Sequence, residues 1–403
     1  MIPVEDVIVF KKSGEQAFDT SRRSRTALLL RRLIGEGIEL RATDIHIEPE
    51  EKGVRVRARV DGFLRDLMEL DIEQGLKLVS AIKVICDLDI TKKVRMQDGS
   101  FSAKVKSKAV EFRVSSVEEV HGDKVVIRIL ETEPEIIDLA RLGVPSATER
   151  QLREFLVKPQ GLLLVSGPTG SGKSTTLYSM LREVDRKQRN VVAIEDPIEY
   201  HLEYVTQISV DAKHGITFAN ALRNTLRQDP NILMVGEIRD SDTAGIAIQA
   251  GLTGHLVFST VHARDAISTI TRLVDLGVEP FLVANVLNIA IAQRLVRLLC
   301  RECRRRVPAD KAKIRKLAPG FDGPVFGPAG CPSCERTGYR GRTGVFEVVT
   351  VTERLRDLIT HKAPEDELRK AAIAEGMLPI HRAAMEKVAA GLTSLEEIER
   401  VIG

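Results

Sequence analysis

The chain has 403 residues, 43% of them hydrophobic and 29% charged, with a net charge of +3 at neutral pH. That length exceeds what one compact core accommodates and predicts two or three domains, with a composition ordinary for a soluble globular protein. The small net charge, the lack of tryptophan and the 4% aromatic content argue against a nucleic-acid partner, which would show basic residues interleaved with stacking rings. Positive residues do cluster, at Arg22, Arg23, Arg25, Arg31 and Arg32 and again at Arg301, Arg304, Arg305 and Arg306. Solvated faces are the simpler reading of both clusters, with a partner or acidic-membrane contact as the alternative.

Residues 1–25 read as a lead-in: Met1–Phe10 alternates apolar residues with Glu5 and Asp6 and has no signal-peptide pattern. Residues 26–140 read as a first α/β domain. A helix is predicted from Thr26 to Gly35 and another over Leu76–Cys86, with strands at Val54–Val60, Val110–Val114 and Val125–Leu130. The segments Thr43–Pro49 and Arg59–Gly62 read only as turns between strands.

Residues 141–299 change pattern. Leu162–Ser166, Val191–Ile194, Ile232–Val235 and His255–Val261 are short, nearly all-apolar runs separated mostly by helical stretches. Such runs suit a largely parallel, doubly wound sheet covered on both faces. Phe281–Leu299 is the longest apolar run, but Asn285, Asn288, Gln293, Arg294 and Arg297 would be costly in lipid, so a buried or amphipathic helix is expected there. Residues 300–345 are rich in Gly, Pro, Arg and Cys and read as a loop-rich insert. The tail, 346–403, is helical by pattern from Thr352 to Ile402, with Gly376 and Gly391 as helix stops.

Gly167-Pro168-Thr169-Gly170-Ser171-Gly172-Lys173-Ser174-Thr175 carries the strongest chemical signal. It has the spacing of a phosphate-binding P-loop, follows an apolar strand and opens a helix over Ser174–Glu183. Glycines let successive N–H groups face phosphates, and the helix amino terminus adds positive potential. Lys173 is then placed for the β- and γ-phosphates of ATP and Ser174 for Mg²⁺. Two acidic clusters close other apolar strands: Glu195, Asp196 and Glu199, and Glu237 in a Walker B pattern with Glu in place of Asp. Both belong at strand carboxyl ends, where open α/β sheets bind ligands. Spacing alone leaves open which Glu activates water. His255 opens the strand Leu256–Val261 and His262 closes it, so His262 is the better γ-phosphate sensor.

Four of the five cysteines form two Cys-x-x-Cys pairs, Cys300/Cys303 and Cys331/Cys334. Four thiolates suit a structural tetrahedral Zn²⁺, with no position left open for catalysis. An iron–sulfur cluster is the chemical rival.

With these residues in hand, the chain resembles the type II secretion and type IV pilus-assembly ATPases. The likeness runs over 40–403 and rests on 167–178, Glu-Asp-Pro-Ile-Glu-Tyr (195–200), Leu-Arg-Gln-Asp-Pro (226–230), Val-Gly-Glu-Ile-Arg-Asp (235–240), 253–262 and Gln-Arg-Leu-Val-Arg-Leu-Leu-Cys (293–300). The resemblance implies a RecA-like P-loop NTPase core, a smaller PAS-like amino-terminal α/β domain, a zinc-binding insert and a helical tail. It also implies a homo-hexamer with ATP between the two domains, and phosphate-clamping arginines at Arg113, Arg128, Arg223 and Arg227. A guanidinium suits that task through its permanent charge and forked donors. Arg223 and Arg227 are four apart on an expected helix, Thr217–Gln228, hence on one face. The implied role is ATP-driven assembly of a pilus or pseudopilus through an inner-membrane platform protein. The implied location is cytoplasmic, at the inner face of the cytoplasmic membrane. The tetracysteine insert marks extension and secretion motors over retraction motors.

Overall fold

The computed structural model describes residues 2–18, 24–91, 96–131 and 138–403; Arg22 and Arg23 lie outside them. The chain divides into two compact units, Met1–Glu135 and Ile136–Gly403.

The first unit contains β1 (Val7–Phe10), α1 (Arg25–Glu39), β2 (Ala42–Glu50), β3 (Gly53–Val60), β4 (Phe63–Leu70), α2 (Ile72–Ile85), β5 (Met96–Val105), β6 (Lys108–Glu119) and β7 (Gly122–Glu131). Its strands form one antiparallel sheet in the order β1-β5-β6-β7-β2-β3-β4. Period-two alternation puts Ile45, Ile47, Val54, Val56, Phe112, Val125 and Ile127 into one core with Leu30, Leu33 and Ile34 of α1 and Leu78 and Ile82 of α2. One expectation fails here. Residues 43–49 are not a turn but most of β2, because the inward residues Ile45 and Ile47 alternate with the outward His46 and Glu48. Within the lead-in, Val7 and Val9 of β1 are buried at the sheet's edge.

Arg113 and Arg128 sit directly opposite each other on β6 and β7, and Arg128 is opposite Asp44 on β2. Cross-strand like charges repel. Asp44 offsets this by accepting from Arg128 Nε at 3.0 Å, while 66% of the Arg128 side chain remains exposed.

The second unit contains α3 (Ser146–Leu156), β8 (Gly161–Ser166), α4 (Lys173–Glu183), β9 (Val191–Glu195), β10 (Thr206–Ser209), α5 (Phe218–Thr225), β11 (Ile232–Val235), α6 (Ser241–Leu252), β12 (Leu256–Val261), α7 (Ala266–Asp275), α8 (Pro280–Val286), β13 (Leu287–Leu299), β14 (Arg305–Arg306), α9 (Lys311–Leu317), β15 (Phe326–Gly327), β16 (Tyr339–Thr350), α10 (Glu353–Thr360), α11 (Glu365–Ala374), α12 (Ile380–Ala389) and α13 (Leu395–Ile402). Its main sheet runs β10-β9-β11-β12-β8-β13-β16, parallel except for β16. One face packs Leu162, Leu164, Ile194 and Leu233 against α6 and α7. The other packs Leu163, Val165, Ala193 and Met234 against Phe155 of α3 and Leu177 and Met180 of α4. This is the doubly covered parallel sheet that the four apolar runs predict.

The long apolar run breaks with expectation. It is a short helix followed by the 13-residue strand β13, which lies between β8 and β16. A strand buried on both faces has no alternation to distinguish it from a buried helix. Its polar residues are satisfied inside the sheet: Asn288 Oδ1 accepts from Leu162 N at 3.2 Å, and Gln293 Oε1 from Thr176 at 2.7 Å. The expected helix Thr217–Gln228 is shorter, ending at Thr225; Asp229 has φ +51° and Pro230 follows, so the helix cannot continue. The insert is less irregular than read, since β16 begins inside it at Tyr339. The tail holds α10–α13, with Gly376 and Gly391 at φ +100° and +65° just beyond α11 and α12.

Glu397 of α13 joins this end of the unit together. It is fully buried and accepts from Arg297 Nε at 3.0 Å, Arg297 Nη2 at 2.8 Å, Arg400 Nη2 at 2.6 Å and the Arg297 backbone N–H at 3.0 Å. The Arg297 guanidinium also lies 3.9 Å from the Tyr339 ring centre. Glu397→Ala leaves a buried cation without its partner and is expected to destabilise this unit by about 3–5 kcal/mol, measured by denaturant unfolding against the wild-type chain.

Candidate active site

The sheet order places the carboxyl ends of β9, β11, β12 and β8 side by side. Each carries one of the functional groups expected from the sequence: Glu195 ends β9, Glu237 follows β11, His262 follows β12, and the loop 167–172 follows β8. His255 does not join them. It stands at the opposite end of β12, with Nδ1 3.1 Å from the Ala250 carbonyl.

The loop from Gly167 to Gly172 turns through left-handed backbone at Gly170 (φ +76°) and Gly172 (φ +87°), the residue that opens α4. Gly167 and Gly172 are also hemmed in. A Cβ on Gly167 would stand 2.5 Å from the Gln293 carbonyl oxygen, and one on Gly172 would stand 2.9 Å from Gln293 Nε2. Only glycine meets both demands. Ser174, one residue into α4, is exposed. Lys173 Nζ donates to the Gly167 and Pro168 carbonyls at 2.9 and 3.1 Å. Burial lowers its pKa, opposed by the nearby Glu237 carboxylate and reinforced by the Arg294 charge.

The three carboxylates are not equivalent. Glu195 is buried, accepts from Gln207 Nε2 at 2.9 Å on one oxygen and takes a short hydrogen bond from the Tyr178 hydroxyl on the other. Burial raises its pKa, although those two hydrogen bonds pull it back. Tyr178 also accepts the Glu199 backbone N–H at 3.4 Å, while the Glu199 side chain is exposed. Glu237 is held by loop bonds on either side: Gly236 N donates to Ile194 O at 2.7 Å, and Ile238 N to Thr260 O at 2.9 Å. Its carboxylate pairs with Arg239 and stands 3.6 Å from His262 Nε2.

Arg223 lies in the last turn of α5 and bonds Asn220 Oδ1 at 3.3 Å. Arg227 lies beyond the helix and folds back onto the Arg223 carbonyl at 3.1 Å. Both are exposed, and only Arg223 lies within the helix. Tyr178, Gln207, Thr176 and Gln293 are functional-site neighbours that residue-type reasoning missed. Their signal lay in position: Tyr178 falls four residues after Ser174 on the same helix face.

At the far end of β13, the Sγ atoms of Cys300, Cys303, Cys331 and Cys334 all lie within 4.8 Å of one another. Cys300–Cys331 and Cys303–Cys334 are each 3.8 Å apart, and Cys331–Cys334 is 3.7 Å. Four thiolates at about 2.3 Å from one metal ion stand roughly 3.8 Å from each other, so the cluster fits a tetrahedral metal such as zinc. Backbone N–H groups of Cys331 and Gly338 point at Cys334 Sγ at 3.2 and 3.1 Å, as hydrogen bonds that favour a thiolate do. Cys86 stands apart, buried in the first unit with its thiol pushed up to about 12 by burial; it is a core residue.

A glycine loop with its lysine, strand-end carboxylates and a covered parallel sheet define a P-loop ATPase. Comparison with known proteins agrees. Residues 20–400 match the family described as Type II/IV secretion system protein, and the chain belongs to that family. It is 44% identical over 375 residues to the type II secretion system protein E of Klebsiella pneumoniae, covering 93% of this chain and 75% of that one. It is 42% identical over 381 residues to the type IV pilus assembly ATPase PilB of Acinetobacter baylyi, covering 92% and 65%. Among solved structures, the pilus retraction motor PilT with bound ADP is similar at a TM-score of 0.63, with 27% identity over 92% of this chain and 95% of that one.

The raised pKa of Glu195 carries a sign. A carboxyl whose pKa is raised in the folded state stabilises it below the ordinary value of 4.5 and loses that stabilisation as pH rises through the raised value. Glu195→Gln, which stays neutral, is expected to raise the melting temperature at pH 8 and to give no such gain at pH 4. A thermal scan at both pH values measures this.

Proposed function

We propose that this chain is a hexameric ATPase motor that powers pilus or pseudopilus assembly for type II secretion or a type IV pilus. The observation that carries the reading is the convergence of Lys173, Glu195, Glu237 and His262 on four adjacent strand ends. The two curated relatives described above, one named for type II secretion and one for type IV pilus assembly, supply the process.

In this reading Gly167–Thr175 bind ATP. Lys173 leaves its own loop carbonyls for the β- and γ-phosphates, and the Ser174 hydroxyl holds Mg²⁺, which neutralises phosphate charge when bound. Glu237 orients the attacking water, because the Glu195 oxygens are already committed to Tyr178 and Gln207. Glu195 and Glu199 shape the metal side of the site, and His262 senses the γ-phosphate through its contact with Glu237. Arg113, Arg128, Arg223 and Arg227 are the proposed phosphate clamps, as the family resemblance implies. The cross-strand pairing of Arg113 and Arg128 supports an anion-binding role. Catalysis of this type is positioning and electrostatics more than covalent chemistry.

We divide the chain functionally into a lead-in (1–25), a nucleotide-flanking domain (26–140), the ATPase core (141–299), a zinc insert (300–345) and a helical tail (346–403). Cys300, Cys303, Cys331 and Cys334 hold a structural Zn²⁺, and the insert supports extension or secretion over retraction. The motor works at the cytoplasmic face of the membrane through a platform protein; no helix among the described residues is long and apolar enough to cross it.

Lys173→Ala is expected to lower phosphate release at saturating ATP by at least about a hundredfold, on the scale of losing one preorganised charge contact; unchanged turnover overturns the assignment. Metal analysis of purified protein is expected to find about one zinc per chain from the four-thiolate ligand count. Cys331→Ser is expected to lose that zinc, and absence of zinc from freshly reduced wild-type protein contradicts the site.

A further inference from the structure

We propose that Gln293 is a positioning residue for the phosphate loop, acting as a buried clamp that holds the loop in its binding shape. The inference rests on the nucleotide-site reading above and adds a residue from a strand outside the loop and the acidic clusters. Gln293 lies on β13 just past Ala292, which is in register with Ser166, the last residue of β8. The loop therefore leaves the sheet directly against it.

Gln293 meets the loop at three points. Its backbone carbonyl oxygen closes the space beside Gly167, and its Nε2 closes the space beside Gly172. Its Oε1 accepts the Thr176 hydroxyl of α4 at 2.7 Å. The side chain is 1% exposed, so this hydrogen bond forms away from competing water, where an unmet amide is costly. The contacts thus span the loop's first glycine, its last glycine and the first turn of the following helix. Neighbouring Arg294 extends the support: Nη1 donates to the Gln293 carbonyl at 3.0 Å and Nη2 to the Arg264 carbonyl at 2.8 Å. Arg264 follows His262 by two residues, so the same strand also ties down the segment after β12.

A phosphate loop binds through backbone N–H groups whose directions must converge. Glycines give the required turns but leave the loop conformationally free, at an entropic cost on binding. A buried side-chain amide beside Gly172, with the Gln293 backbone carbonyl beside Gly167, removes part of that freedom before the nucleotide arrives. The competing explanation is a buried polar residue whose hydrogen bond serves the core alone. The two differ in what the bond controls, nucleotide affinity or only stability.

The test uses the full chain and measures binding of a fluorescent ADP analogue beside steady-state ATP hydrolysis and thermal unfolding. Gln293→Leu keeps the side-chain size and removes the amide, and Thr176→Val removes the hydroxyl. Each is expected to weaken ADP binding and raise the KM for ATP about tenfold, the scale of one buried hydrogen bond, with kcat changed less than about threefold. The double variant is expected to bind no more weakly than about the worse single variant, because one bond is lost in all three. Thr176→Ser, which keeps the hydroxyl, is expected to bind like the wild type. Folded Gln293→Leu that binds ADP within about twofold of wild type overturns the proposal, as do additive losses in the double variant. If Gln293→Leu does not fold, Thr176→Val decides alone. Unchanged affinity in Thr176→Val, or loss of its fold while Thr176→Ser stays folded, assigns the pair to the core and overturns the proposal. A wild-type chain that binds no ADP defeats the nucleotide-site reading itself, whereas binding by wild type and variants alike defeats only this inference.

Discussion

Between Ser166 and Lys173 the backbone must leave a wholly buried strand, aim successive N–H groups at one place and enter a helix. Left-handed φ at Gly170 and Gly172 makes the turn, and the absence of a Cβ at Gly167 and Gly172 lets β13 press against it. Much of the second unit follows from keeping that turn supported. A parallel sheet buried on both faces fixes β8, the hydrogen bond from Thr176 to Gln293 fixes the start of α4, and Tyr178 fastens the next turn of α4 to Glu195 on β9. The loop is thereby connected to strands on both sides through side chains of its own helix.

The same helix ranks the carboxylates. Glu195 is drawn inward by Tyr178 and Gln207, and burial favours its neutral form. Glu237 stands on a short loop held at Gly236 and Ile238, paired with Arg239 and near His262. Two acids at neighbouring strand ends therefore have different environments, and differing environments are how carboxylates divide their tasks. At the other end of β13, Arg297 and Glu397 secure the strand to α13, and Cys300 begins the four-cysteine cluster only three residues later.

How much of this was legible in the sequence depends on how local the signal is. The phosphate loop, the four apolar strands and the cysteine pairs are written in short spacings, and the structure joins the loop and strands in one sheet and gathers the four thiols at the far end of β13. The second sheet edge was not legible, because β13 is apolar on both faces and mimics a buried helix, while β16 starts inside a segment dominated by Gly, Arg and Cys. Strand β2 was hidden by Thr43, Asp44 and Pro49, polar or turn-forming residues around two inward isoleucines. Arg227 looked helical by spacing until Asp229 and Pro230 ended α5 early. Gln293 and Tyr178 fall within the quoted motifs but residue type does not mark them as site residues: their partners are distant in sequence or act through a hydroxyl whose direction only the fold sets. Arg113 and Arg128 were recognised by resemblance alone; they stand opposite each other on β6 and β7.

Hydrolysis of a nucleotide held by the loop 167–172 is proposed to depend on Glu237, on the loop between β11 and α6. The direct measurement is phosphate release and ADP affinity, side by side, for the Glu237→Gln variant and the wild-type chain. The proposal predicts that the variant binds ADP within about threefold of wild type while hydrolysis falls by about a hundredfold or more, the scale of losing a positioned catalytic carboxylate. Hydrolysis at the wild-type rate in the folded variant contradicts it.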